Sequence, residues 1–158
     1  MMPIWDKISG ELKSFPEGTH KFVSACPETR IADVEAEFGK MPVPLVEMVR
    51  HFNGAELFCC PHVLITLFGI SPRRPVSRFK WAPDWYIDKF TRAWRKANPE
   101  SELWAFAMSN YGGLMLASNG GRIREWDTSI NDWGESFRSI KQWMEYIIDE
   151  GRIYMLEE

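Results

Sequence analysis

Three short runs decide the fold: LWAFAM (Leu103–Met108), LMLAS (Leu114–Ser118) and RIREW (Arg122–Trp126). Tyr111-Gly112-Gly113 separates the first two and Asn119-Gly120-Gly121 the last two. Glycine pairs of this kind are strong tight-turn signals. Connections this short leave no room for a crossover, so the three runs are predicted to pair antiparallel as a meander. Upstream, Val63-Leu64-Ile65-Thr66-Leu67-Phe68 is an apolar, β-branched run of the kind that forms a buried strand.

Helical spacing surrounds these runs. Ile4, Trp5, Ile8, Leu12 and Phe15 recur at i, i+3 and i+4, which predicts an amphipathic helix ended by the segment Pro16 to Gly18. A second helix is expected from Thr29 as N-cap, with Ile31, Val34 and Phe38 along one face and Gly39 capping its end. Pro42 and Pro44 open a third, which aligns Leu45, Met48, Val49 and Phe52 before Asn53-Gly54 closes it. After Pro83, the residues Tyr86, Phe90, Ala93, Trp94 and Ala97 keep helical spacing until Asn98-Pro99 stops the helix, and Tyr86, Phe90 and Trp94 are expected to be core. A last helix is predicted from about Ser136 to Asp149, using Phe137, Ile140, Met144 and Ile147, with Gly151 as its cap. The order predicts one α+β domain over residues 1–158, its core at about 4–150. A mostly antiparallel sheet of about five or six strands would pack with about five helices.

Composition agrees. Of 158 residues, 45% are apolar and 14% aromatic, the reverse of the balance that keeps a chain disordered. No stretch approaches the roughly 18 uninterrupted apolar residues of a membrane-spanning helix. Asp6, Lys7, Glu11 and Lys13 interrupt the apolar residues of the N-terminus, unlike a secretory signal. Cys26, Cys59 and Cys60 are odd in number and two are adjacent, which does not suit a disulfide framework. These features predict a cytoplasmic protein without a membrane partner.

The net charge of −3 hides an asymmetry. Between Ser71 and Lys96, Arg73, Arg74, Arg78, Lys80, Lys89, Arg92, Arg95 and Lys96 face only Asp84 and Asp88, so this segment stands at +6. It interleaves cations with Phe79, Trp81, Trp85, Tyr86, Phe90 and Trp94, a pattern that can hold single-stranded nucleic acid. The alternative is a helix whose aromatic face is core and whose cations are its solvated side. An acidic chain overall favours the second reading.

Few residues suit covalent or metal chemistry. Cys59-Cys60-Pro61-His62 is the only cluster of soft ligands, and its adjacent pair lacks the spacing of a structural zinc site. Buried packing is the expected role of these cysteines. His20, His51 and His62 have no nucleophile turn or paired-carboxylate motif near them. Neither Gly112-Gly113 nor Gly120-Gly121 is followed by a phosphate-binding lysine. The chain is therefore expected to be no enzyme, and to use no cofactor and no metal.

The order of elements and several local signatures resemble the SUKH superfamily, in particular its Smi/Knr-like family, across about residues 4–150. Ile31 to Gly39 is similar to the family's helix with an interior glutamate and a hydrophobic-Gly ending. Met41-Pro42 stands at its Leu-Pro, and Leu45 to Gly54 resembles its helix closed by Asn-Gly. Leu103 to Ser118 looks like its central strands, Gly121 to Trp126 like its aromatic strand, and Ser136 to Ile148 like its closing helix. The resemblance implies a non-catalytic protein-binding module. Bacterial members are mostly immunity proteins that neutralise toxins passed between competing cells, and the fungal relatives regulate cell-wall synthesis. The partner implied is a protein, a cognate toxin domain.

Trp126, Asp127, Asn131, Asp132, Trp133 and Glu135 form the most concentrated polar-aromatic group, read here as a strand end and the loop before the last helix. Tryptophan is enriched at binding hot spots, and acids around it would steer a basic partner. The partner-binding candidates are therefore Trp126, Asp127, Asp132, Trp133 and Glu135. The competing reading has Trp126 and Trp133 simply capping the end of the core.

Overall fold

Gly112 and Gly121 both take left-handed backbone, at φ 92° and 87°, a conformation that glycine adopts without a Cβ penalty. The chain reverses at each, and the strands on either side pair antiparallel. The computed structural model describes residues 4–59, 62–72 and 85–156. Along them run α1 (Ile4–Lys13), β1 (Lys21–Phe22), α2 (Glu28–Phe38), α3 (Val43–His51), β2 (Ala55–Leu57) and β3 (Ile65–Leu67). They continue as α4 (Ile87–Ala97), β4 (Trp104–Ser109), β5 (Gly113–Ala117), β6 (Ile123–Asp127), β7 (Asp132–Phe137) and α5 (Ile140–Leu156). The strands form one seven-stranded antiparallel sheet in the order β1-β2-β3-β4-β5-β6-β7. The α+β class and the meander are as predicted, with more strands.

The sheet has helices on both faces. Trp143 of α5 meets Phe106 of β4 edge-on at 5.1 Å between ring centroids. On the other face α4 sets Trp94 against Trp126 and Trp133. The core is heavily aromatic, with Trp5, Trp104, Trp143, Phe58, Phe68 and Phe106 fully buried. Trp5 donates its indole N–H to the Pro44 carbonyl at 2.7 Å and so ties α1 to the start of α3.

Several expected boundaries move. Thr29 lies inside α2, whose N-cap is Pro27. The third helix begins at Val43, with Pro42 as its N-cap. The strand expected over 63–68 is paired with its neighbours only at 65–67, because Leu64 already closes the turn from β2 through the carbonyls of Leu57 and Phe58. The last helix starts four residues later than predicted, since Asp132–Phe137 is taken by β7. It also runs through Gly151, which is no cap: a Cβ there would stand 2.2 Å from the Phe58 ring.

The fourth helix departs most from its pattern. Ala93 and Ala97 are exposed, Tyr86 and Phe90 are half-buried, and the fully buried positions are Ile87, Asp88 and Thr91. Tertiary hydrogen bonds make this polar burial tolerable. Asp88 accepts the Ser71 backbone N–H at 3.0 Å and also its hydroxyl, while Arg30 of α2 donates to the Ser71 carbonyl at 2.8 Å. Thr91 accepts the Ala105 N–H at 3.0 Å, beside the irregular register of β4 between Ala105 and Ala107.

Candidate functional site

The β6–β7 hairpin forms one end of the sheet, so among the described residues β7 has a neighbouring strand on one side only. Alternation along β6 sends Arg124 and Trp126 to the α4 face and Glu125 to the α5 face. Trp126 is directly opposite Trp133, the two rings standing 5.1 Å apart at 83°. Trp94 lies 5.7 Å from each. The Arg124 guanidinium sits 3.7 Å above the centre of the Trp133 ring. All three indoles are half-buried, so the cluster is a braced ledge with an accessible rim.

Asp127 and Asp132 face each other at the mouth of the hairpin. Asp127 accepts the Ser129 hydroxyl at 2.6 Å and its N–H at 2.9 Å, and these bonds hold its carboxyl below the usual range. Asp132 accepts the N–H of Trp133 at 2.8 Å. Among the described residues, none of Asp127, Asp132 and Glu135 takes part in an ion pair.

The register then slips. Arg124 pairs with Ser136 while Trp126 pairs with Trp133, so Gly134 and Glu135 together face Glu125. Such a bulge re-aims the side chain after it, and here it turns Glu135 onto the α5 face. The expected group is therefore divided: Trp126 and Trp133 share one face, and Glu135 lies on the other. Residues 132–137 form an exposed edge strand where the sequence predicts a loop, because their polar composition and Gly134 disguise the alternation.

On the α5 face Glu125 is 7% exposed and accepts the Tyr111 hydroxyl. Gly134 leaves it room, since a Cβ there would stand 2.2 Å from its Oε1. With Glu135, Tyr146 and Glu150 it borders a cavity of about 50 Å³ between sheet and helix. Desolvation, then the Glu125 hydrogen bond, pushes the Tyr111 phenol well up; desolvation, then Glu135 and Glu150, raises that of Tyr146.

Other sequence candidates are placed as follows. Arg92 pairs with Glu37 at 2.8 Å. Arg95 donates to the carbonyls of Phe38, Glu102 and Leu103 and stacks on Trp104. These cations thus bind α4 to its neighbours, and Phe90 stacks on Phe68 inside the fold. Arg73, Arg74, Arg78 and Lys80 lie outside the described residues, as do Cys60 and Pro61. Cys59 donates to the Glu56 carbonyl at 3.3 Å, and the His62 N–H donates to the Tyr154 hydroxyl at 3.0 Å. Among the described residues no group of three or more His, Cys, Asp or Glu is arranged to hold a metal, and no helix is long and apolar enough to cross a membrane.

No family model matches the chain, and no curated protein matches it. Sequence reasoning overlooked Arg124, Glu125 and Tyr111, although the alternation within Arg122–Trp126 already separates Glu125 from Arg124 and Trp126.

Proposed function

We propose that this chain is a non-catalytic protein-binding module of the toxin-immunity kind, acting in the cytoplasm and docking its partner on the β6–β7 hairpin. The resemblance to SUKH proteins supplies the class. One observation supports the place: a cross-strand tryptophan pair, braced by Trp94 and Arg124, on a sheet edge whose Asp127, Asp132 and Glu135 have no ion-pair partner among the described residues. Indoles held by their neighbours lose little freedom on binding and act as anchors. The carboxylates would attract a basic partner and set its orientation. The outer edge of β7 offers backbone groups to an incoming strand. Inhibition would be stoichiometric, by covering the partner's working surface, with no bond made or broken.

The test is co-expression with the product of the gene adjacent to its own. Growth arrest by that product should be relieved by this chain, and the two should co-purify. Failure of both rescue and complex formation contradicts the reading.

A further inference from the structure

A second feature lies on the α4 face of the sheet, at the strands remote from β7. Glu56, in the middle of β2, pairs in register with Lys21 on one side and Thr66 on the other, and its neighbours Ala55 and Leu57 are core. It is only 6% exposed, yet its carboxylate makes no hydrogen bond or ion pair among the described residues. Desolvation raises its proton affinity, opposed by Lys21.

This carboxylate lines a concavity of about 390 Å³ together with Thr66, Trp85, Met108, Asn110 and Thr128. That is the size of a small-ligand pocket. Trp85 is 41% exposed, but its ring is braced nearly edge-on against Phe68 at 6.1 Å and Phe90 at 6.3 Å. Among the described residues, the lining therefore offers one carboxylate, one oriented indole, an apolar thioether and several neutral oxygens. Indole faces and carboxylates both attract cations, and each does so more strongly when water is excluded.

We propose that this cavity binds the ammonium or guanidinium head of a flexible aliphatic chain, with Glu56 as counter-ion, Trp85 as aromatic wall and Met108 against the stem. Thr66, Asn110 and Thr128 supply acceptors for the remaining N–H groups. The site does not depend on the toxin-binding reading. Free amines and the side chains of lysine or arginine present the same head.

The test is a titration of the whole chain by two-dimensional ¹⁵N NMR, following the Trp85 indole and the Thr66 and Asn110 amides. The probes are n-butylammonium, n-butylguanidinium and, as an uncharged control, n-butanol. Saturable shifts at those three positions with either cation, and none with butanol, are expected. Glu56→Gln should weaken binding by about tenfold or more, the loss of one charge-assisted contact, and Trp85→Leu should weaken it independently. Blocked lysine or arginine that competes with the probes marks a pocket for side chains of a partner. Probes that bind while blocked lysine and arginine do not mark a free amine. Absence of saturable shifts in the wild-type chain, or equal affinity in Glu56→Gln, overturns the proposal. So does binding that appears only in Lys21→Met, since the chain's own lysine would then fill the site.

Discussion

Replacing Gly151 with alanine tests the packing of α5 on the core. In an open helix interior this change is favourable by about 1 kcal/mol, because alanine loses less backbone freedom than glycine. Here the new Cβ would stand 2.2, 2.3 and 2.4 Å from three carbons of the Phe58 ring. Phe58 is fully buried and holds a left-handed backbone at φ 53°, so it has little freedom to withdraw. Ordinary contacts need more than 1 Å of additional room. Forcing such overlap into a packed core costs about 3 kcal/mol, the upper part of the overpacking range. The net expectation is a loss of about 2 kcal/mol, and a fall in Tm of about 4–8 °C for a domain of this size. Thermal unfolding followed by circular dichroism measures it. Phe58→Leu supplies the second arm. In that background Gly151→Ala should turn neutral or stabilising, which shows as a coupling in a double-mutant cycle. If Gly151 were instead a helix cap, alanine would destabilise equally in both backgrounds. An unchanged or raised Tm in the single variant would refute the packing argument.

Three further expectations concern titration and the site. His20 accepts the Phe58 N–H at 3.0 Å on Nδ1, and burial, partly offset by the Leu12 carbonyl, lowers its pKa to about 4. Its folded form resists protonation, so stability should fall as pH drops from about 6.5 towards about 4. His20→Gln should flatten that slope in urea titrations, and an equal slope would exclude His20 as its source. His51 behaves oppositely, because its 2.6 Å contact with Asp6 raises its pKa. Its contribution is present below the unfolded value near 6.5 and lost as pH rises through the folded one. Asp6→Asn should therefore destabilise more at mildly acidic than at alkaline pH; the same loss at both would count against the pair. Trp133→Ala should weaken the partner complex by about 2 kcal/mol or more, roughly thirtyfold, by calorimetric titration. Its circular dichroism spectrum should stay native, and unfolding instead would assign the indole to the core.

The central meander was legible because glycine pairs force the reversals and the intervening runs are apolar. The helices were legible from spacing alone where their buried faces are apolar, as in Leu45, Met48 and Val49. Short strands escaped. Two-residue β1 and three-residue β2 carry too few side chains to show a period, and they exist because neighbouring strands supply their hydrogen bonds. The buried face of α4 escaped for another reason. Asp88 is satisfied by Ser71, and Thr91 by Ala105, partners 17 and 14 residues away that no local pattern reveals. At the candidate site, Trp126 and Trp133 were singled out together and the structure sets them side by side. The turn of Glu135 to the opposite face comes from the bulge at Gly134, which a strict two-residue alternation does not anticipate.

Hydrogen–deuterium exchange on the complex with the adjacent gene's product addresses the central claim most directly. Covering of the hairpin predicts slowed exchange across residues 123–137, strongest along β7, while the distant strand β1 stays as in the free chain. A stable complex in which that stretch exchanges as fast as before would contradict the assignment of the docking surface.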